Sequence, residues 1–457
     1  MDKARGRIVI VGAGLAGLRA AETLRDEGFT GSLTVVGEER HQPYDRPPLS
    51  KQVLTGFAAP DHTALPRLRP LDDVHWELGV PAQQLDRAAK VVRLADGREL
   101  PYDRVLIATG VRTRPWPNEE EAALDGVLSL HAIDDAREVR ERLAAKPKRV
   151  LVVGGGFTGS EVASVCRMLD VDVTLVERGP SPLSGALGGM VGSVAAEMQR
   201  GEGVDLRCGV SIDALVGDNG ALAGARLSDG AEVDADLAVV ALGGIRNTEW
   251  LYDSGLAAGP LGVGCDAGMR AGTMSAMATD DVFVAGDVAV FPHVLYAYDR
   301  VALEHWKNAV VSAGIAAHNM LCAERDRRPH VGVPSFWSIQ FGVNIKSVGV
   351  PSVADHVVVS QGSTEQRRFA AVYGRQGQLV GAATFNGARW LEHYERLIAS
   401  SAPFPPDLGE AEQATGATPV PADFPAPHPM TNQPTVLITG HSPTDLHVQR
   451  TLDGGNR

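Results

Sequence analysis

The chain has 457 residues, 44% of them hydrophobic and 22% charged, a composition ordinary for a globular protein, and its length fits roughly three domains. The net charge of −13 argues against nucleic-acid binding, since phosphate backbones attract basic surfaces. The first apolar run begins within a few residues of Met1, which leaves no room for a signal peptide, and no apolar run approaches about 18 residues. We therefore expect a cytoplasmic protein without a membrane span.

The first predicted unit is a strand, a glycine turn and a helix, read from residues 7–17 (RIVIVGAGLAG). Gly12 permits the tight turn, Gly14 lets backbone amides approach a pyrophosphate, and Gly17 lets the helix pack closely on its strand. The helix N-terminus presents unpaired amides to the phosphates. Glu38 ends the next apolar run, where a carboxylate can hold the hydroxyls of a ribose.

The same unit recurs at residues 149–159 (RVLVVGGGFTG). Gly154, Gly156 and Gly159 repeat the three glycine roles, and Glu177 ends the following strand. One such motif is weak support for nucleotide binding, but two complete copies predict two nucleotides bound in one chain.

The remaining pattern nests the second unit inside the first. Apolar strands that end in small-residue or acidic turns are predicted at 104–110, 237–243 and 281–287, a helix at 302–321, and an antiparallel sheet from 334 to about 398. Ten of the 28 prolines fall in the last 55 residues, which predicts an extended tail with one short strand at 435–439. We expect a discontinuous first domain at 1–119 and 247–330, a second domain at 120–246, a third at 331–402, and the tail at 403–457.

The four cysteines are far apart and form no Cys-x-x-Cys pair, which excludes a redox dithiol or a cysteine metal site. We expect each to be a small buried hydrophobe. Redox chemistry must then use a bound cofactor, and no metal site is predicted.

Several short segments occur in the order found in one family. They are residues 43–51 (PYDRPPLSK), 108–110 (ATG), Glu161 after the second glycine motif, 286–287 (GD), 304–306 (EHW) and 336–338 (FWS). Over residues 5–400 the chain resembles the FAD-dependent NAD(P)H ferredoxin reductases of oxygenase systems, the putidaredoxin reductase and aromatic-ring dioxygenase reductase type. The resemblance implies an α/β fold with two Rossmann-like three-layer domains, FAD in the first and a nicotinamide nucleotide in the second, plus a C-terminal α+β domain and the proline-rich extended tail.

The resemblance also implies site residues. Lys51 lies beside the flavin N5 edge paired with Glu161, Asp287 bonds the ribityl chain, the helix at Trp306 points at the flavin pyrimidine, and Trp337 covers the acceptor side. Lys51, Glu161 and Trp337 are the implied catalytic residues. The full predicted set for cofactor binding is Gly12, Gly14, Leu15, Ala16, Gly17, Glu38, Arg46, Lys51, Ala82, Thr109, Gly110, His131, Gly154, Gly156, Phe157, Thr158, Gly159, Glu161, Glu177, Arg178, Gly243, Asp287 and Trp306.

Glu177 favours NADH, because a carboxylate there accepts the ribose hydroxyls and repels the 2′-phosphate of NADPH. Arg178 follows directly and keeps NADPH open as an alternative. The chain departs from the family at Ile339, where relatives commonly carry an acid, and at His131, where arginine is frequent.

The implied reaction carries electrons from NADH through FAD to an iron–sulfur ferredoxin, which supplies a haem-thiolate monooxygenase or a ring-hydroxylating dioxygenase. Flavin disulfide reductases and single-cysteine NADH oxidases are excluded, because residues 41–44 (HQPY) carry no cysteine. Rubredoxin and monodehydroascorbate reductases stay open, as does an NADH-sensing protein like apoptosis-inducing factor. The oligomeric state is a monomer or a homodimer.

Overall fold

The computed structural model describes residues 5–407, 418–425, 435–437 and 449–451. The first unit begins with a parallel βαβ arrangement, continues through an antiparallel three-stranded sheet, and returns to the parallel sheet. Its elements are β1 (Arg7–Val11), α1 (Leu15–Asp26), β2 (Ser32–Gly37), β3 (His75–Leu78), β4 (Ala82–Asp86), β5 (Val91–Leu94), β6 (Glu99–Pro101), β7 (Arg104–Ile107) and β8 (Val111–Thr113). Strand β1 lies between β2 and β7, both parallel to it, and this position explains its uninterrupted apolar sequence.

The second unit repeats this order. Its elements are α2 (Glu119–Ala122), β9 (Val127–Ser129), α3 (Ile133–Ala144), β10 (Arg149–Val153), α4 (Phe157–Met168), β11 (Asp172–Glu177), α5 (Ser184–Gly201), β12 (Asp205–Cys208), β13 (Ile212–Asp218), β14 (Ala221–Leu227), β15 (Glu232–Asp234), β16 (Leu237–Val240) and β17 (Gly244–Arg246). The parallel sheet has the order β12-β11-β10-β16-β9, and β13 to β15 form the antiparallel insert. Strands β8 and β17 pair with each other where the chain enters and leaves this unit.

The chain then returns to the first unit. The elements there are β18 (Ala258–Gly259), β19 (Gly262–Gly264), β20 (Arg270–Gly272), β21 (Ala278–Val284), β22 (Ala289–Pro292), β23 (Arg300–Val301) and α6 (Trp306–Leu321). Strand β21 pairs in parallel with β7 and completes a six-stranded sheet of order β20-β21-β7-β1-β2-β3. Helix α6 begins four residues later than the pattern predicts, because His305 is extended and Glu304 turns to an ion pair with Arg246.

The predicted C-terminal sheet is present and antiparallel. Its elements are β24 (Ser335–Gln340), β25 (Val343–Gly349), β26 (His356–Ser363), β27 (Arg368–Arg375), β28 (Gln378–Phe385) and α7 (Leu391–Ala399). Helix α7 buries Leu391, Tyr394 and Ile398, which lie on one helical face, against this sheet. The fold therefore joins two three-layer nucleotide-binding units to an α+β domain, as predicted.

The tail holds β29 (Val420–Pro421), β30 (Thr435–Leu437) and β31 (Gln449–Thr451). Strand β29 adds to the edge of the C-terminal sheet beside β26, and Ala422 after it is buried. The amide of Gly189 in α5 donates to the carbonyl of Ala422 at 3.0 Å. The described part of the tail is extended as predicted, but it also packs on the second unit. The predicted strand at 435–439 is present at 435–437, and its last two positions lie outside the described residues.

Candidate active site

The first glycine turn has the geometry that a bound pyrophosphate requires. Gly12 has a φ of +121°, and a Cβ built on it would lie 2.0 Å from the carbonyl oxygen of Ala108. A Cβ on Gly17 would lie 1.9 Å from the carbonyl oxygen of Gly12, so only glycine lets the helix come this close. Gly14 faces open space among the described residues, and Leu15 and then Ala16 begin α1 directly after it. The free amides at this helix end are open to an anion.

The second glycine turn repeats that geometry. Gly154 has a φ of +102°, and a Cβ on Gly159 would lie 1.9 Å from the carbonyl oxygen of Gly154. Gly156 faces open space in the described part of the chain, and α4 begins at Phe157, with Thr158 next in the same first turn. Both turns thus leave room for a diphosphate at a helix N-terminus.

The acids that follow the two turns differ in their surroundings. Glu38 is exposed directly after β2. Glu177 ends β11 and accepts hydrogen bonds from the amides of Gly155 and Gly179, both at 2.6 Å. Each carboxylate oxygen has a further lone pair for a ribose hydroxyl. Arg178 is exposed beside it and forms no ion pair with any residue that the structure describes.

In each unit, a glycine at a positive φ follows a strand of the parallel sheet. Gly110 follows β7 with a φ of +61°, and Gly243 follows β16 with a φ of +82°. The Thr109 hydroxyl donates to the carbonyl of Asn247 at 2.8 Å, and the Asn247 side-chain amide donates to the carbonyl of Thr109 at 2.8 Å. Ala82, at the start of β4, is half-buried against the core of the first unit.

Glu39, Tyr44, Arg46 and His131 form a polar cluster. Neither Glu39 nor Tyr44 was among the site residues predicted from the sequence. The Arg46 guanidinium contacts Glu39 at 2.6 Å, the Tyr44 hydroxyl at 3.0 Å and the carbonyl of His131 at 2.9 Å. Burial would raise the pKa of Glu39, but Arg46 and the Tyr44 hydroxyl lower it overall. Burial, with Arg46 adding repulsion, lowers the pKa of His131 to about 4. The imidazole is therefore neutral near pH 7.

Asp287 lies where strand β21 ends, at the carboxyl edge of the first sheet. Burial raises its pKa to about 7, with repulsion from Glu304 adding to the effect. Its carboxylate accepts no hydrogen bond from the residues that the structure describes. A half-buried polar group without a partner is costly, so this position points to a ligand that donates a hydroxyl.

The structure brings Lys51 and Glu161 together, although 110 positions separate them in the chain. The Lys51 ammonium lies 2.7 Å from Glu161 Oε2 and 2.9 Å from the carbonyl of Pro47. The Ser50 hydroxyl donates to the same Glu161 oxygen at 2.5 Å. The carboxylate is 5% exposed, so its charge is balanced inside the protein and not by solvent.

Two tryptophans contact each other and reach the surface. The rings of Trp306 and Trp337 are 6.1 Å apart in an edge-to-face arrangement, and the side chains are partly exposed. The Trp306 indole N–H donates to Asp45 at 2.8 Å. Trp306 begins α6, so the predicted helix terminus at this residue is present.

Residues 6–313 match the pyridine nucleotide-disulphide oxidoreductase family, and residues 335–414 match the reductase C-terminal domain. The chain belongs to the pyridine nucleotide-disulphide oxidoreductase family. This membership makes it an oxidoreductase, and its cofactors are FAD and NADH.

Two curated relatives and one solved structure show how far the similarity extends. A probable ferredoxin reductase of Castellaniella defragrans is 35% identical over 83% of this chain and 90% of its own length. The ferredoxin–NAD(+) reductase component of the p-cumate 2,3-dioxygenase system of Pseudomonas putida is 32% identical over 84% of this chain and 90% of its own length. The crystal structure of a covalent putidaredoxin reductase–putidaredoxin complex is similar with a TM-score of 0.80 and 28% identity, covering 88% of this chain and 94% of that one.

This family member carries no disulfide of the kind in the family name. Cys166, Cys208, Cys265 and Cys322 are all free, and burial raises the pKa of the Cys166 thiol to about 12. Cys166 and Cys265 are buried as expected, but Cys208 and Cys322 are only partly buried, because each lies at the end of an element near the surface. In the described residues, no helix is long and apolar enough to cross a membrane.

Proposed function

We propose that this protein is an NADH-dependent ferredoxin reductase, which moves electrons through FAD to an iron–sulfur ferredoxin that supplies a monooxygenase or dioxygenase. The observation that carries the proposal is the Lys51–Glu161 pair, where the first unit, the second unit and the C-terminal sheet meet. Each unit brings one part to this point, and the exposed Trp337 directly precedes Ser338, which contacts Glu161. The proposed site residues are those predicted from the sequence, with Glu39, Tyr44 and Asn247 as additional supporting residues.

The first unit fits FAD. Gly14 leaves open space before the helix, and Asp287 offers a carboxylate without a hydrogen-bond donor among the described residues at the carboxyl edge of the sheet. Glu38 would hold the adenosine ribose, and α6 would point its N-terminus at the flavin pyrimidine, where a positive helix end favours negative charge. When bound, FAD accepts two electrons from NADH and releases them one at a time.

Lys51 and Glu161 act as a unit beside the flavin. The ammonium places positive charge where electron density increases on the ring, and Glu161 limits the cost of burying that charge. Neither group needs to remove a proton from the nicotinamide, so the protein contributes mainly position and electrostatics.

The second unit fits NADH better than NADPH. The two amide contacts fix the Glu177 carboxylate in the ribose position, where its charge repels a 2′-phosphate. Arg178 is exposed and well hydrated. The attraction of an exposed cation for the 2′-phosphate is weaker than the repulsion from the fixed Glu177 carboxylate. NADH is therefore the proposed reductant, with NADPH used less well.

The exposed pair of Trp306 and Trp337 is the proposed route to the ferredoxin. We also assign the domains as predicted, at 1–119 with 247–330, 120–246 and 331–402, with a tail at 403–457. A cytoplasmic location is supported by the four free cysteines, which fit a reducing compartment. An NADH-sensing flavoprotein, in which electron transfer is incidental, is the alternative, and the named relatives favour it less.

Anaerobic stopped-flow reduction by NADH and NADPH, followed by mixing with an oxidised ferredoxin, tests the proposal. We expect rapid flavin bleaching by NADH and rapid reoxidation by at least one member of a ferredoxin panel. A long-lived reduced complex that no member of the panel reoxidises would favour the sensor. Absence of bleaching by either nucleotide would contradict the catalytic assignment.

A further inference from the structure

Helix α4 of the second unit and strand β24 of the C-terminal sheet pack along matching faces. The rings of Phe157 and Phe336 are 4.8 Å apart at one end of the contact. At the other end, the Ser164 hydroxyl accepts a hydrogen bond from the amide of Phe341 at 2.7 Å. On the helix, positions 157, 161 and 164 share one face, and on the strand, positions 336, 338 and 340 share one face. Glu161 and Ser338 therefore meet in the middle of this contact.

Ser338 holds the Glu161 oxygen that Lys51 does not use. Its hydroxyl donates to Glu161 Oε1 at 2.5 Å, and it accepts a hydrogen bond from the Gln340 side-chain amide at 2.9 Å. A serine hydroxyl has one proton, so the bond from Gln340 directs that proton to Glu161. Both Ser338 and Gln340 are fully buried, so this hydrogen bond lies inside the protein.

The two oxygens of Glu161 thus have different partners from different units. Lys51 and Ser50, both from the first unit, bind Oε2, and Ser338 of the C-terminal sheet binds Oε1. Without Ser338, Oε1 would be a buried acceptor without a donor, and the carboxylate would lose one of the contacts that fix its orientation.

We propose that Ser338 is a positioning residue for the electron-transfer reaction, which keeps the Glu161 carboxylate charged and directed at Lys51. Gln340 supports it by fixing the direction of the hydroxyl. The inference rests on the proposed function, because it concerns the rate at which NADH reduces the flavin. Strand β24 carries Ser338 on its buried face, where it contacts Glu161, and Trp337 on its exposed face. One strand therefore contributes to both the NADH side and the ferredoxin side of the site.

The test is the pH dependence of the limiting rate of flavin reduction by NADH in Ser338→Ala. Without this bond the carboxylate is no longer fixed toward Lys51, and we expect a limiting rate roughly 10-fold slower or more. A donated hydrogen bond favours a carboxylate over its protonated form, so we expect the loss of this bond to move the acid limb of the rate profile to higher pH. Ser338→Thr, which keeps the hydroxyl, should restore both properties.

Ser164→Ala is the matched control, because it removes a hydroxyl from the same helix–strand contact without touching Glu161. It should keep the wild-type limiting rate and acid limb at equal flavin content. Gln340→Met is a second test, because it leaves every direct contact of Glu161 in place. We expect it to shift the acid limb in the same direction as Ser338→Ala, but by less.

The inference is overturned if Ser338→Ala and Gln340→Met both keep the acid limb of Ser164→Ala. Failure of the proposed function is distinguishable from this result, because the wild-type flavin would then not be reduced by NADH or not be reoxidised by any ferredoxin.

Discussion

The two nucleotide-binding units share one order of elements but differ in how they hold the acid after the second strand. Glu177 is fixed by the amides of Gly155 and Gly179, whereas Glu38 is exposed. The first unit instead places a rigid cluster one residue later, where Glu39 contacts Arg46 and the Tyr44 hydroxyl. Pre-organisation at Glu177 suits a site that discriminates between two similar nucleotides, since a fixed carboxylate cannot move away from a 2′-phosphate.

The units also differ in their continuity along the chain. The second unit is continuous from β9 to β17, whereas β21 and Asp287 of the first unit follow the whole second unit in the sequence. In the second unit, β9 takes the place of β21 beside the neighbouring parallel strand, and the three residues after its end at Ser129 include no acid. The first unit therefore has a half-buried carboxylate at this edge of its sheet, and the second unit has none at the matching position.

The largest effects should come from alanine at the closest glycine in each unit. The built Cβ lies 1.9 Å from a backbone oxygen in both Gly17→Ala and Gly159→Ala, and relief of such overlap costs about 1–3 kcal/mol. We expect Gly17→Ala to lose FAD, and Gly159→Ala to keep FAD but bind NADH about 10- to 100-fold more weakly. Flavin content and NADH titration measure the two effects. Equal loss of FAD in both variants would show that the units are not independent.

Lys51→Met should slow flavin reduction by NADH about 10-fold or more and perturb the flavin spectrum, because it leaves the buried Glu161 without its cation. Stopped-flow absorbance measures the rate. The matched control is Lys90→Met, which removes an ammonium ion-paired with Asp281 on the same unit, away from the site. An unchanged rate and an unchanged flavin spectrum in Lys51→Met would contradict the role assigned to this side chain.

Glu177→Ala should raise the ratio of kcat/KM for NADPH to kcat/KM for NADH by about 10-fold, because it removes the carboxylate that repels the 2′-phosphate. It should also lower the free energy of unfolding by about 1–2 kcal/mol, since two backbone amides lose their acceptor. Glu38→Ala should leave this nucleotide ratio unchanged, because that carboxylate belongs to the unit proposed to bind FAD. Steady-state kinetics and urea unfolding measure both variants, and an unchanged nucleotide preference in Glu177→Ala would refute the specificity argument.

The smallest effect concerns the pH dependence of the flavin-free protein. The pKa of Asp287 is raised to about 7, so between pH 4 and 7 the folded state holds a proton that the unfolded state has lost. Its contribution to stability is therefore present at low pH and is lost as pH rises through 7. Asp287→Asn should stabilise the flavin-free protein at pH 8 by about 1–3 kcal/mol and leave it unchanged at pH 4. Equal stabilisation at both pH values would exclude this titration.

Local pattern predicted the glycine turns, the parallel strands and both acids, because each depends on residues within about 30 positions. The pairing of Lys51 with Glu161 was accessible only through the family resemblance, since no spacing rule connects residues in different units. The contact of Ser338 with Glu161 and the reciprocal bonds of Asn247 with Thr109 were missed for the same reason. A family resemblance transfers individual residues, but the partners of those residues follow from the packing of distant elements.

The sequence pattern also did not predict where α6 begins or where the tail packs. Apolar spacing continued upstream of α6, but the ion pair of Glu304 with Arg246 holds that stretch extended. Proline content predicted an extended tail, but it gave no sign that Ala422 would be buried against the Gly188–Gly189 backbone of α5. In both cases a tertiary contact decided the local conformation.

The late pairing of β21 with β7 has a consequence for synthesis of the chain on the ribosome. Val105 pairs with Val282, so the apolar edge of β7 is open until residue 284 has left the exit tunnel. By then the whole second unit has emerged and can fold as a self-contained domain. We expect the nicotinamide domain to form first and the flavin domain to close last, with a transient unpaired edge that chaperones must cover to prevent aggregation.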